Sequence, residues 1–178
     1  TWDAVGEPAD AEILASVRVP SVQTDGNHNR LHLRSGTVGG NETGYLLDVR
    51  EQSFTLASYP AEGGYDVLAE SGTPASDTRY WVRFRAAGET LSVKHWEHGT
   101  SEPGDWDVQL TDATHDSGWV GVGGIMDAVH EFGAVSVATG GATAPMPGDG
   151  DQPDIRFGHG IVDAFAATSD SFTPTRVT

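Results

Sequence analysis

Apolar and polar residues alternate with a period of two along most of the chain. In AEILASVRV (11–19), Ile13, Ala15, Val17 and Val19 face one way and Glu12, Ser16 and Arg18 the other. RLHLR (30–34) sets Leu31 and Leu33 against Arg30, His32 and Arg34. TGYLLDVRE (43–51) aligns Tyr45, Leu47 and Val49, SFTLASY (53–59) aligns Phe54 and Leu56, and YDVLAE (65–70) aligns Tyr65, Val67 and Ala69. RYWVRFR (79–85) places Tyr80, Val82 and Phe84 opposite Trp81, Arg83 and Arg85. TLSVKHW (90–96), DWDVQLTD (105–112), GWVGVGG (118–124) and FGAVSVA (132–138) continue the pattern. Successive side chains of a strand point to opposite faces, so this rhythm predicts about ten short, half-buried strands. GIMDAVHEF (124–132) is the one stretch that reads as a short helical turn.

The segments between the predicted strands are turn formers: DGN, SGTVGGN, AEGG, ESGTP, AAGE and SEPGD. Glycine supplies positive φ and proline presets a turn angle, so these runs close hairpins. Many short antiparallel strands with polar outer faces predict an all-β, two-sheet sandwich over residues 1–140. Near residue 140 the rhythm stops. Residues 141–154 read as an acidic Gly/Pro-rich linker. Residues 155–178 are too short for a second core and read as a C-terminal extension, whose Ile155, Phe157, Ile161, Val162 and Phe165 would pack on the sandwich or on a neighbouring subunit.

Charge changes the picture. Twenty-six acidic residues stand against ten basic ones, for a formal charge of −16, and Lys94 is the lone lysine. Acid excess with lysine depletion suits a surface kept hydrated in concentrated salt, as in a salt-in halophile. Such a surface repels nucleic acid and anionic lipid. No apolar run reaches the roughly 18 residues of a membrane span. With no cysteine, disulfides and thiolate chemistry are excluded. NET at 41–43 fits a glycosylation acceptor. Only TWDAVG precedes EPADAEILASVRV, so further sequence upstream of Thr1 is expected.

Within residues 79–112 the spacing of Trp81, Arg83, Arg85, Gly88, Leu91, Trp96, Gly99, Glu102, Pro103, Trp106 and Asp112 resembles modules of the concanavalin A-like (laminin G-like) jelly-roll superfamily. The resemblance spans about residues 8–140 and, with the charge pattern, suggests a haloarchaeal or haloarchaeal-virus protein. It implies a jelly-roll sandwich. In related proteins the last strand and an early strand share a structural calcium, but the family's aspartate on that strand is Gly133 here.

Three groups are candidate sites. Trp96 and Trp106, flanking a turn-rich loop, form either a sugar-stacking platform or a clasp between two strands, and the family pattern favours the clasp. Trp81, Arg83 and Arg85 share a face that would bind a glycan or an acidic partner, or be an ordinary solvated face with its arginines paired to acids. Asp149, Asp151 and Asp154 offer oxygens to calcium, or are a solvated acidic linker.

Catalysis by paired carboxylates would need a same-face set such as E-x-D-x-E, which the sequence lacks. The expectation is therefore a non-catalytic carbohydrate-binding or adhesion module on the outside of a cell or virion, recognising glycan or a host surface. One alternative is a structural virion component (a decoration, spike or fibre protein) assembling through 155–178. A second is a polysaccharide hydrolase.

Overall fold

A computed structural model describes residues 6–19, 28–125 and 130–147, together with the backbone of 155–157 and 160–163. The described residues form strands and loops without a helix. None of their segments is a helix long and apolar enough to cross a membrane.

The strands are β1 (Ala11–Arg18), β2 (His28–Val38), β3 (Asn41–Val49), β4 (Phe54–Tyr59), β5 (Asp66–Ser71), β6 (Arg79–Ala87), β7 (Thr90–Glu97), β8 (Val108–Thr111), β9 (Trp119–Ile125), β10 (His130–Thr139), β11 (Ile155–Phe157) and β12 (Gly160–Asp163). They make two sheets, ordered β11-β10-β1-β6-β7-β8 and β12-β9-β2-β3-β4-β5, with every pairing antiparallel. Because β1 pairs with β10 while β2 pairs with β9, the chain winds up and back between the sheets as a jelly roll does. The period of two predicts this all-β sandwich, and each alternating segment from 11 to 138 contributes to a strand. GIMDAVHEF does not read as helix at its ends, which belong to β9 and β10; residues 126–129 lie outside the described residues.

The inner faces follow the alternation except on β5, where Leu68 packs on the core while Val67, aligned with Tyr65 and Ala69 in the predicted apolar face, is exposed. Ile13, Ala15, Val17, Leu31, Leu33, Tyr45, Leu47, Phe54, Leu56, Val82, Phe84, Leu91, Val93, Val120, Val122 and Phe132 fuse into one buried core. Burying a large aliphatic or aromatic side chain contributes about 1.5–3 kcal/mol, so this shared layer is what holds the sheets together.

The ladder is broken where the strands must bend. Between Leu33 and Gly36 the β2–β3 register shifts, and Arg34 takes a φ of 51°. The bulge turns the Arg34 side chain across the end of the sandwich, where it donates to the carbonyls of Ala9 at 2.6 Å, Gly88 at 2.6 Å and His115 at 2.9 Å. Gly44 lies against the same bulge at φ 128°, where a Cβ would come within 2.5 Å of Ser35 Oγ and 2.6 Å of Ser35 Cα. Gly44→Ala is therefore expected to cost about 1–3 kcal/mol through overpacking alone, read as a lower urea midpoint with unchanged slope. An unshifted midpoint would mean the bulge is not held as described.

The first residues beyond Thr139 are docked on the sandwich. Residues 142–147 cross the outer face of the first sheet, with Ala144 fully buried. Short β11 then adds to β10 and β12 to β9, one edge strand for each sheet. The backbone of 155–157 and 160–163 thus finds strand partners within its own sandwich. Residues 148–154 and 164–178 lie outside the described residues.

Candidate functional site

The predicted aromatic–arginine face lies on the outer side of the first sheet. Register pairs Trp81 with Trp96, Arg83 with Lys94 and Arg85 with Ser92. The alternation is as expected, since Val82 and Phe84 are in the core. The openness is not. Leu14, Trp81, Trp96 and Ala144 form a second small apolar cluster, with Ala134 and Ala138 packed against it.

Arg83 is 3% exposed. It holds both oxygens of Glu102 at 2.9 Å, the Glu12 carboxylate and the Ala144 carbonyl at 2.8 Å. The Ala144 N–H donates to Glu12 at 2.9 Å and Ser136 Oγ donates to the Pro145 carbonyl at 2.6 Å. Arg85 remains partly exposed and donates to the Gly141 carbonyl at 2.9 Å. The expected open face is thus a buried layer under the 142–147 strap, built from an ion pair whose charges would be costly to bury unpaired.

Trp96 and Trp106 are not a stacked pair. Trp96 neighbours Trp81 across the β6–β7 ladder. Trp106 precedes β8 instead of opening it, and it is half-buried with Lys94 Nζ 4.9 Å from its ring centroid. Lys94 in turn donates to the Pro103 carbonyl at 3.0 Å. The loop is tied down as a clasp. Asp149, Asp151 and Asp154 lie outside the described residues. Among the described residues no group of three His, Asp or Glu side chains could hold a metal ion. A Cβ at Gly133 would stand 2.9 Å from Arg79 Nη1, so a guanidinium faces this position of the last strand.

The outer face of the second sheet brings together polar residues that no sequence motif joins. β2 supplies His28, Arg30 and His32, β3 supplies Glu42 and Asp48, β4 supplies Thr55 and Tyr59, and the segments after β3 and β4 add Arg50 and Tyr65. Asp48 is fully buried. It accepts from Arg30 Nε at 2.6 Å, Arg50 Nη2 at 2.8 Å and the Tyr65 hydroxyl at 2.7 Å, and His28 Nε2 stands 3.3 Å away. Arg30 Nη2 donates to the Tyr59 hydroxyl at 3.2 Å, and Arg50 Nη2 donates to that of Tyr65. The two tyrosine rings meet edge to face at 5.5 Å, and each carries a guanidinium over its face, Arg30 at 5.3 Å and Arg50 at 5.4 Å. Beside them His32 tilts against Trp119 at 5.0 Å and lies 3.3 Å from Glu42. A buried carboxylate therefore fixes two arginines and a tyrosine, and the half-exposed rings of Tyr59 and Tyr65 form the rim. Planar donors and aromatic rings held in fixed positions suit recognition of a polar ligand.

Burial by itself would raise the Asp48 carboxyl, but the His28 contact and the charge and hydrogen bond of Arg30 outweigh it, holding the group well below the usual carboxylate range. Burial, then the Asp48 charge, raises Tyr65 above the ordinary tyrosine value. Elsewhere, burial and the hydrogen bond to Asp112 push Tyr45 up to about 12. Burial lowers His95, against the opposing pull of Asp107, and lowers His115, against that of Asp112.

The signs give a pH profile. His95 and His115, depressed in the fold, contribute stability above about pH 6.5 that is lost as pH falls. Asp48 contributes above about pH 4 and is lost below it. Tyr45, raised in the fold, contributes stability lost as pH climbs from about 10 toward its folded value. The melting temperature is expected to plateau between about pH 7 and 10 and to fall on the acid side in two stages, the first removed by His95→Gln together with His115→Gln. A single acid step unchanged by that double variant would contradict this assignment.

No family model matches the sequence, and no curated protein sequence matches it. Among solved structures the fold is similar to the carbohydrate-binding module CBM66 from Bacillus subtilis, with a TM-score of 0.56 and 17% sequence identity over 75% of this chain and 77% of that one. At that identity the likeness is one of architecture: an antiparallel two-sheet β-sandwich.

Proposed function

We propose that this chain is a non-catalytic carbohydrate-binding module whose ligand face is the outer side of the second sheet around Asp48. The carrying observation is the pair Tyr59 and Tyr65, half-exposed and fixed edge to face by two guanidiniums that Asp48 anchors. Sugars are bound by a few planar polar groups and aromatic rings held in place before the ligand arrives, and a buried anchor lowers the entropy lost on binding. The similarity of fold to a carbohydrate-binding module supports the reading by analogy. The absence of an E-x-D-x-E run supports its non-catalytic part. The acid excess and single lysine support a place in brine, on the outside of a cell or virion of a halophile.

Affinity electrophoresis and calorimetry against a panel of soluble polysaccharides in molar KCl test this. Binding is expected for at least one polysaccharide, with Tyr59→Ala weakening it by about tenfold, a loss of ~1.4 kcal/mol, and no release of reducing ends. Absence of binding across the panel, or equal binding by Tyr59→Ala, would overturn the site. Reducing-end release would overturn the non-catalytic reading.

A further inference from the structure

The hydrogen-bond accounting at this face points to the class of sugar, an inference that rests on the carbohydrate-binding reading. Asp48 is spent inside the fold. Oδ1 takes Arg30, while Oδ2 takes Arg50 and Tyr65 and faces His28. With no exposed surface, it is not the group that meets a ligand.

The rim instead presents donors. Tyr59 accepts from Arg30 and keeps its own proton to give. Arg50 uses Nη2 for both Asp48 and Tyr65. Among the described residues its Nη1 finds no acceptor and is what Arg50 has left to give, whereas its Nε, also without an acceptor, is itself buried.

The charges agree with the donors. Two guanidiniums share the one Asp48 carboxylate. Glu42 answers Arg30, at 4.0 Å, and His32, but not Arg50. Glu51, next along the chain, accepts from Ser76. Arg50 is thus an under-compensated cation with its side chain 32% exposed, lying over a tyrosine ring. Three other basic residues share their acids but spend donors on carbonyls: Arg83 on Ala144, Arg85 on Gly141 and Lys94 on Pro103. On a chain of formal charge −16, an arginine left this way at an aromatic rim is placed for an anion. Its Nη1 N–H can give a carboxylate a charge-assisted hydrogen bond.

We infer that the ligand is a uronic acid-containing glycan, its carboxylate received by Arg50 and a neighbouring oxygen by the Tyr59 hydroxyl. Calorimetry with a galacturonate trisaccharide and with its methyl ester separates charge from ring shape. The titration is run in 1 M KCl, where the Debye length is about 3 Å and the acidic surface no longer repels an anionic ligand, while a direct ion contact persists.

The acid is expected to bind at least tenfold more tightly than the ester. Arg50→Gln is expected to erase that difference, and Arg50→Lys to restore part of it. Equal affinities for acid and ester in the native protein would overturn the inference, as would a preference that survives Arg50→Gln in a variant with native circular dichroism. If neutral polysaccharides bind through Tyr59 while acid and ester do not differ, the uronate assignment fails and the carbohydrate site stands. If nothing binds, both fail.

Discussion

Replacing Asp48 by alanine is expected to destabilise the sandwich by about 3–5 kcal/mol, the cost of removing one partner from a buried ion pair. The carboxylate is fully buried and answers Arg30 at 2.6 Å, Arg50 at 2.8 Å and Tyr65 at 2.7 Å. Without it the Arg30 guanidinium, itself almost wholly buried, keeps only Tyr59 and a 4.0 Å contact to Glu42. Native domains are stable by about 5–15 kcal/mol in total, so the variant should melt about 6–20 °C lower or populate unfolded chains. Asp48→Asn keeps the shape and one acceptor but loses the charge, and it should fall between. Urea denaturation followed by tryptophan fluorescence measures both. A loss below about 1 kcal/mol for Asp48→Ala, the range of an exposed ion pair, would mean the cluster is open to water and not the anchored base of a site.

The second large effect belongs to Arg83. Arg83→Ala should cost a similar ~3–5 kcal/mol, because Glu12, 1% exposed, would keep Arg85 at 3.5 Å as its one charged partner among the described residues. It should also release the strap, since Arg83 binds the Ala144 carbonyl and Glu12 binds the Ala144 N–H. The readouts are a urea midpoint, a red-shifted emission from Trp81 and Trp96, and new proteolytic cleavage near residues 142–147. Replacing both charges by apolar residues, Arg83→Met with Glu12→Leu, should recover much of the stability, because neither charge is then left buried alone. Arg83→Ala that melts like the native protein and keeps its strap protected would contradict the buried layer.

These two sites differ in how far the sequence discloses them. The alternation of Tyr80, Val82 and Phe84 against Trp81, Arg83 and Arg85 assigns each residue to a face correctly, because a strand's geometry is local. It cannot say whether the second face is wet. That depends on Ala144, one small residue in a Gly/Pro-rich run with no periodicity, which is docked through backbone hydrogen bonds and a single methyl. Backbone contacts leave no residue-type signature.

Trp96 and Trp106 look like a pair because ten residues and a polar loop separate them. The cross-strand register gives Trp96 to Trp81 instead. The Asp48 cluster is less local still. Arg30 and His32 opposite Leu31 and Leu33 mark an outward face, and Asp48 shares that character opposite Leu47 and Val49. Joining them to Tyr59 and Tyr65 requires the pairing order β2-β3-β4 and the register that sets Arg30 against Asp48 and Asp48 against Thr55. One signal was available: an arginine, an aspartate and two tyrosines on neighbouring predicted strands of one sheet.

Carbohydrate is predicted to meet the second sheet's outer face, not the strapped tryptophan layer. Backbone amide NMR of the native protein, titrated in molar KCl with the tightest-binding polysaccharide's oligosaccharide, decides it in one measurement. Shifts are predicted at Arg30, Asp48, Arg50, Tyr59 and Tyr65, with Leu14, Trp81, Arg83 and Trp96 unmoved. Shifts confined to the Trp81–Trp96 layer and the 142–147 strap would contradict the account and return the site to the face that lies covered here.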